Sequence, residues 1–119
     1  MRLDPKPDHL NHNGTVNAAV LYGLAEVAGA GAAVADMLDL AAQSYTVVKQ
    51  AHIEYRSPAR GVIEATGQVD PGAVEQAQAQ VASGHGAEVE VPVSVTDAKG
   101  SEVAKVTFTV TIRPRRQAT

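Results

Sequence analysis

Residues 11–35, NHNGTVNAAVLYGLAEVAGAGAAVA, decide how the rest of the chain is interpreted. A polar start that includes Asn13 and Thr15 precedes a run of Ala, Val, Leu and Gly in which Glu26 is the only charged residue. This pattern predicts a helix over residues 16–33, capped by Thr15 or Asn13, and a helix that is apolar on nearly all sides is typically buried. Because a carboxylate is costly to bury unless it is paired or functional, Glu26 is the first candidate functional residue.

The same run has to be tested as a membrane span. Residues 18–35 are long enough, but Ala and Gly contribute little transfer free energy, and no cluster of Lys or Arg flanks the run. The first residues also lack the apolar core of a signal peptide. The sequence therefore predicts a soluble protein with no membrane partner.

The composition limits the classes of function. A length of 119 residues predicts one domain, and a net charge of −3 argues against a general nucleic-acid binder. Cys is absent, which excludes disulfides and thiolate metal sites and makes the cytoplasm the expected location. A core built mainly from Ala and Val fills little volume, and this favours extra burial against a second subunit.

The remainder of the chain indicates strands. Residues 1–10 are predicted to be a flexible segment, residues 11–113 a single domain, residues 114–119 a tail, and residues 36–43 a loop or short helical extension. Two strands are predicted at residues 44–56 and 62–69, followed by a helix at residues 73–82 with Pro71 near its first turn. In the first strand the alternation places these side chains on one, inward face: Tyr45, Val47, Ala51, Ile53 and Tyr55.

The last part of the chain reads as a hairpin. Alternating Val residues precede a turn at residues 97–100, and Val106, Phe108 and Ile112 alternate after it. Val103 is out of step, which predicts a bulge or an irregular strand start. One long helix followed by four strands predicts an α+β fold, an antiparallel sheet wrapped around one central buried helix.

Three short patterns carry a family resemblance. Asn11 and Gly14 precede Asn17-Ala18-Ala19, and Leu24-Ala25-Glu26 follows, with Glu26 nine residues after Asn17. This resembles an Asn, a Gly-x-x-His-Gly-Gly segment and a Leu-Ala-Glu/Asp segment in hotdog-fold thioesterases of the phenylacetic-acid-pathway and 4-hydroxybenzoyl-CoA types. The match continues at residues 55–61 and at the hairpin of residues 97–100, so that it covers about residues 11–113.

The resemblance implies a hotdog domain and a division of catalytic roles. Glu26 would be the general base or nucleophile, and the backbone N–H of Ala18 would donate to the oxyanion, with Asn11 on the donor side. Asn17, in place of the family's His, is assigned to substrate binding. Eight residues of helix separate Ala18 from Glu26 by about 12 Å along the axis, so one thioester cannot contact both in one chain. In these families the acid and the donor come from opposite subunits, which implies a homodimer or homotetramer.

The implied substrate is an acyl-CoA or an acyl-carrier-protein thioester, with no cofactor beyond the CoA moiety of the substrate. Arg56 and Arg60 are the candidates for binding the CoA phosphates, although each is also explained as a solvated charge at a strand end. His9 and His12 are three residues apart on a predicted loop, a spacing that fixes no metal geometry. We therefore predict no metal site.

Several positions depart from the family pattern. The His-Gly-Gly segment is replaced by residues 17–19, and the positions at which relatives often carry a Ser or Thr that orients water are Ala30 and Val48. These departures leave an alternative open, a non-catalytic acyl-thioester binding or assembly module on the same fold.

Overall fold

The computed structural model describes residues 1–36 and 44–114. All but the first residue of the predicted connection (36–43) and all but the first residue of the predicted tail (114–119) lie outside these ranges. The sheet has five antiparallel strands in the order β1-β3-β4-β5-β2. In chain order these strands are β1 (Arg2–Leu3), β2 (Ser44–Tyr55), β3 (Ile63–Gly67), β4 (Ala87–Thr96) and β5 (Glu102–Pro114).

Two helices complete the described fold. Helix α1 (Ala18–Asp36) packs against β3, β4 and β5, and helix α2 (Pro71–Ala82) packs against β4 and β5. Asp70 caps α2 by accepting a hydrogen bond from the Ala73 N–H at 3.2 Å. The predicted α+β architecture, an antiparallel sheet covered by one long helix, is confirmed. Among the described residues, no helix is long and apolar enough to cross a membrane.

The core lies between α1 and one face of the sheet. Every second residue of β4, from Ala87 to Val95, is buried, and β5 supplies Val106, Phe108, Val110 and Ile112 to the same core. This is the period-two pattern of strands with one covered face.

Gly29 allows α1 to approach the sheet closely. A Cβ at this position would lie 3.0 Å from Phe108 Cδ2 and 3.1 Å from Val93 Cγ2, closer than ordinary van der Waals contact. A Cβ at Gly31, by contrast, would meet nothing within 4 Å. Of the two glycines near the end of α1, one is therefore explained by packing within this chain.

The assignment of β2 faces is wrong for the first half of the strand. Val48 pairs with Val110 and Gln50 with Thr109, so Lys49 is the extra residue of a bulge. Because side chains alternate, an extra residue reverses the faces on either side of it. Val47, which pairs with Thr111, therefore lies with the outward residues and is 54% exposed. Thr46 and Val48 occupy the inward positions instead.

The predicted hairpin is confirmed. Asp97 Oδ1 accepts hydrogen bonds from the N–H groups of Lys99 and Ser101, and Gly100 has a φ of 78°. The register shifts near the start of β5, so that Val103 and its neighbour are both buried. This shift is the bulge predicted at Val103.

The first ten residues are part of the folded unit. β1 pairs with β3, and Pro7–His9 forms a short 3-10 helix. Leu10 then makes an antiparallel bridge to Val16.

Candidate functional site

Asn11 organises the loop that precedes α1. Its side-chain oxygen accepts hydrogen bonds from the Asn13 N–H at 2.9 Å, the Thr15 N–H at 3.2 Å and the Thr15 hydroxyl at 3.1 Å. Gly14 closes the turn with a φ of 74°, a left-handed conformation that glycine adopts without strain. Within the chain, the Asn11 side-chain oxygen therefore stabilises the loop before α1. The predicted role of Asn11 on the oxyanion side stays a prediction.

The predicted start and cap of the helix are wrong by two residues. Val16 donates its N–H to the Ala59 carbonyl at 2.9 Å and bridges to Leu10, so it is extended. The buried Thr15 hydroxyl is bonded to Asn11. Asn17 is the capping residue instead, because its Oδ1 accepts from the Ala19 N–H at 2.9 Å.

This cap leaves one N–H free in the first turn. The Val20 and Leu21 N–H groups donate to the Asn17 carbonyl, and Ala19 is bonded to the Asn17 side chain. Within residues 1–36 and 44–114, no acceptor is bonded to the N–H of Ala18, which is exposed. A free N–H at a helix N-terminus, strengthened by the helix dipole, binds anions. The predicted oxyanion donor is therefore available.

Glu26 is exposed in the single chain, and the expectation that its own subunit buries it is wrong. Helix α1 turns only one stripe toward the sheet, with Leu21, Ala25 and Gly29 buried. On the other side Gly23, Glu26 and Val27 are exposed, Val27 at 52%. An exposed apolar face beside a carboxylate is a surface on which a second molecule could pack.

Two tyrosines near the start of α1 were not identified from the sequence. The Tyr22 ring lies 5.8 Å from the Phe108 ring with an interplanar angle of 59°. Burial is the main cause that raises the pKa of Tyr22, and the charge and hydrogen bonding of Glu26 add to it. The Tyr55 hydroxyl donates to the Ala18 carbonyl at 3.3 Å, so β2 reaches the first turn of the helix. The spacing of four residues between Tyr22 and Glu26 could have indicated from the sequence that the two side chains lie on one face of the helix.

The two predicted phosphate ligands differ in their surroundings. Arg56 donates to Glu102 at 2.5 Å and to Glu54 at 3.3 Å, so a phosphate would have to compete with two carboxylates. Within the described ranges, Arg60 makes no ion pair and is exposed. Because the neighbouring Ala59 carbonyl is bonded to Val16, Arg60 lies close to the loop that leads into α1.

An open cavity of about 1460 Å³ lies elsewhere on the molecule. Its lining includes Tyr45, Gln80 and Arg113, and none of the predicted site residues borders it. In the described part of the chain, no group of three His, Cys, Asp or Glu side chains could hold a metal ion.

Comparisons with known proteins point to one fold. A family model described as "Domain of unknown function (DUF4442)" matches residues 1–112, whereas no curated protein matches the chain. A Pseudomonas aeruginosa protein described as "Probable Thioesterase" is 26% identical, with a TM-score of 0.81 over 96% of this chain and 74% of that one.

Two further solved structures carry CoA ligands. A Bacillus halodurans protein solved with CoA is 18% identical, with a TM-score of 0.72 over 93% of this chain and 68% of that one. A Streptococcus mutans protein bound to acetyl CoA is 19% identical, with a TM-score of 0.64 over 98% of this chain and 81% of that one. Together these likenesses confirm the predicted hotdog fold, and the likeness to the Pseudomonas aeruginosa protein supports the resemblance to the thioesterase superfamily.

Proposed function

The chain belongs to the family described as a domain of unknown function (DUF4442), and on that premise we propose that it hydrolyses acyl-CoA or acyl-carrier-protein thioesters. The fold shared with a protein described as "Probable Thioesterase", and with two structures that hold CoA or acetyl CoA, supports this substrate class. The observation that carries the proposal is the free N–H of Ala18, on the same helix as the exposed carboxylate of Glu26. One group can hold an oxyanion and the other can accept a proton.

The proposed site is shared between two copies of the chain. Ala18 and Glu26 are about 12 Å apart along α1, whereas both groups must contact one carbonyl or its attacking water. The exposed Val27 next to Glu26 and the half-exposed Tyr55 on the edge strand β2 are apolar surface that a second subunit would cover. We assign the Glu26 of one subunit and the Ala18 N–H of the other to each site of a homodimer, alone or within a homotetramer.

The reaction then needs no further group. Glu26 takes a proton from water as the water oxygen bonds to the thioester carbon. The negative charge that develops on the carbonyl oxygen is held by the Ala18 N–H, and removal of one such donor typically costs about 10²–10³ in kcat. When the C–S bond breaks, Glu26 returns the proton to the departing sulfur, which gives the free acid and the thiol.

Glu26 could instead attack the carbonyl carbon itself and form a mixed anhydride that water cleaves. In a single turnover in ¹⁸O-labelled water, label in the protein identifies the nucleophilic route, whereas label only in the acid is given both by the base and by an anhydride that water cleaves at its acyl carbon. With Glu26 as nucleophile, water attack at the side chain leaves label in the protein, whereas with Glu26 as base all label enters the released acid.

Arg60 is the stronger candidate for the CoA phosphates. It is exposed and lies on the segment that contacts the loop before α1, and arginine binds phosphate through a bidentate fork. Arg56 has to leave Glu54 and Glu102 first. We expect Arg60→Ala to raise KM for acyl-CoA with little change in kcat, and Arg56→Ala to have the smaller effect.

A non-catalytic acyl-thioester binder is the second candidate. It is favoured by Ala30 and Val48, which offer no hydroxyl to water; Val48 packs toward the core opposite Val110. This candidate predicts acyl-CoA binding by calorimetry with the thioester left intact.

A thiol-release assay across short, medium and aromatic acyl-CoAs tests the proposal. Release that is lost in Glu26→Gln and Ala18→Pro but kept in Ala18→Gly, the matched variant that retains the N–H, supports it. If wild-type protein and Glu26→Gln release thiol at the same rate on every substrate, hydrolysis by this site is excluded.

A further inference from the structure

The geometry of α1 brings Tyr22 and Glu26 together. The two residues are four apart, so they lie on one face of the helix in successive turns. Helical side chains lean toward the N-terminus, which places the Glu26 carboxylate over the turn that contains Tyr22.

Tyr22 is fixed where it can act on that carboxylate. Its ring packs against Phe108, which is 1% exposed and belongs to the core. Burial and the charge and hydrogen bonding of Glu26 raise the pKa of Tyr22, and Tyr55 adds a smaller effect. The hydroxyl therefore stays protonated at neutral pH and remains a donor. Since Tyr55 is bonded to Ala18, both tyrosines lie at the N-terminal half of the helix that carries the proposed site.

We propose that Tyr22 is the positioning residue of the site: its hydroxyl donates a hydrogen bond to one oxygen of Glu26 and turns the other oxygen toward the attacking water. A carboxylate has two oxygens with about four lone-pair positions, so one can be held while the other accepts the proton. This inference rests on the proposed hydrolysis. It accounts for a site without a Ser or Thr at positions 30 and 48, because the carboxylate is oriented from the preceding turn.

Tyr22→Phe is the direct test, because it removes the hydroxyl and keeps the ring against Phe108. We expect kcat to fall at least about tenfold while KM stays within about twofold, the signature of an interaction that matters only in the transition state. Tyr45→Phe is the matched control, since Tyr45 lies on the outward side of β2 beside the distant cavity. A kcat for Tyr22→Phe within about twofold of wild type would overturn the inference.

A second measurement does not depend on turnover. In protein labelled with ¹³C at the tyrosine ζ carbons, Tyr22→Phe assigns the Tyr22 resonance. We expect this resonance to move as the Glu26 carboxyl titrates and to stay fixed over the same pH range in Glu26→Gln. A resonance that behaves identically in both proteins overturns the inference even if the protein is an active thioesterase. If wild-type protein cleaves no thioester, the proposed function fails, while the resonance still decides whether Tyr22 holds Glu26.

Discussion

Replacement of Asn17 by Asp separates the structural role of this residue from the electrostatics of the proposed oxyanion site. Asn17 caps α1 through its side-chain oxygen, and Asp is an equally good capping residue. A carboxylate at a helix N-terminus also gains about 0.3–1 kcal/mol from the helix dipole. We therefore expect Asn17→Asp to be at least as stable as wild type in urea unfolding followed by circular dichroism.

Activity should move in the opposite direction. The new carboxylate binds the Ala19 N–H, one residue from the N–H proposed to hold the oxyanion, so the two negative oxygens would lie roughly 6 Å apart. With an effective dielectric constant of about 20, the repulsion is about 3 kcal/mol. Screening by salt reduces it to about 1.5–2.5 kcal/mol, which corresponds to a loss of roughly ten- to seventyfold in kcat.

Asn17→Ser is the matched control, because it keeps a neutral capping oxygen and should retain stability, and because any contact of the Asn17 amide with substrate is lost in both variants. Thiol release with a saturating acyl-CoA gives kcat for the three proteins. If Asn17→Asp hydrolyses the substrate as fast as Asn17→Ser, no oxyanion forms near the Ala18 N–H, and the assignment of that donor is refuted.

Gly29→Ala should have a free energy of unfolding about 1–3 kcal/mol lower than that of Gly31→Ala, and therefore a lower urea midpoint. Both variants gain helix propensity, but only the new methyl group at position 29 crowds Phe108. Equal midpoints would contradict the close approach of α1 to the sheet. The hydrogen bond that the Ser94 hydroxyl donates to Glu102 at 2.7 Å lowers the pKa of this carboxyl group from its ordinary value, and the charge of Arg56 also lowers it. A carboxyl group whose pKa is lower in the folded protein than in the unfolded chain stabilises the fold at every pH above its unfolded pKa. This stabilisation is lost as the pH falls through its folded pKa. Wild-type protein should therefore lose stability more steeply than Glu102→Gln between about pH 5 and pH 3 in urea unfolding; parallel profiles would contradict the interaction.

The strands could be predicted because their signal is local. In β4, and in β5 from Ala104 onward, each buried residue is followed by one that is not buried, and this alternation is visible without knowledge of the partner strand. In β2 the same alternation gave the wrong faces for the first half of the strand. Both faces carry apolar residues, and no sequence pattern indicates the bulge at Lys49. Only the pairing of Val48 with Val110 and Gln50 with Thr109 shows where the faces exchange.

The start of α1 depends on contacts that are distant in sequence. From the sequence, Val16 looks like the first residue of the helix. Its N–H instead donates to the carbonyl of Ala59, 43 positions later, and this keeps Val16 extended. The cap therefore moves to Asn17. This shift leaves the Ala18 N–H as the free donor, the residue that the family spacing had already indicated.

The prediction that Glu26 is buried was wrong because the sequence does not show which faces of a helix are covered by other parts of the fold. One stripe of α1 meets the sheet, whereas Gly23, Val27 and Gly31 on the other side are exposed within the chain. Likewise, Arg56 was predicted as a phosphate ligand or a solvated charge. Its partner Glu54 lies only two residues earlier in the chain, but its partner Glu102 could be recognised only from the pairing of the strands.

The shared site is tested most directly by mixing two inactive variants. Glu26→Gln removes the base, and Ala18→Pro removes the donor at a helical position where proline is well tolerated. Each homodimer alone should be nearly inactive. In a heterodimer purified through two different tags, one site combines the intact Glu26 of one chain with the intact Ala18 N–H of the other, so about half of the wild-type kcat per dimer should return. A heterodimer as inactive as its parents, with subunit composition verified by native mass spectrometry, would contradict the shared site.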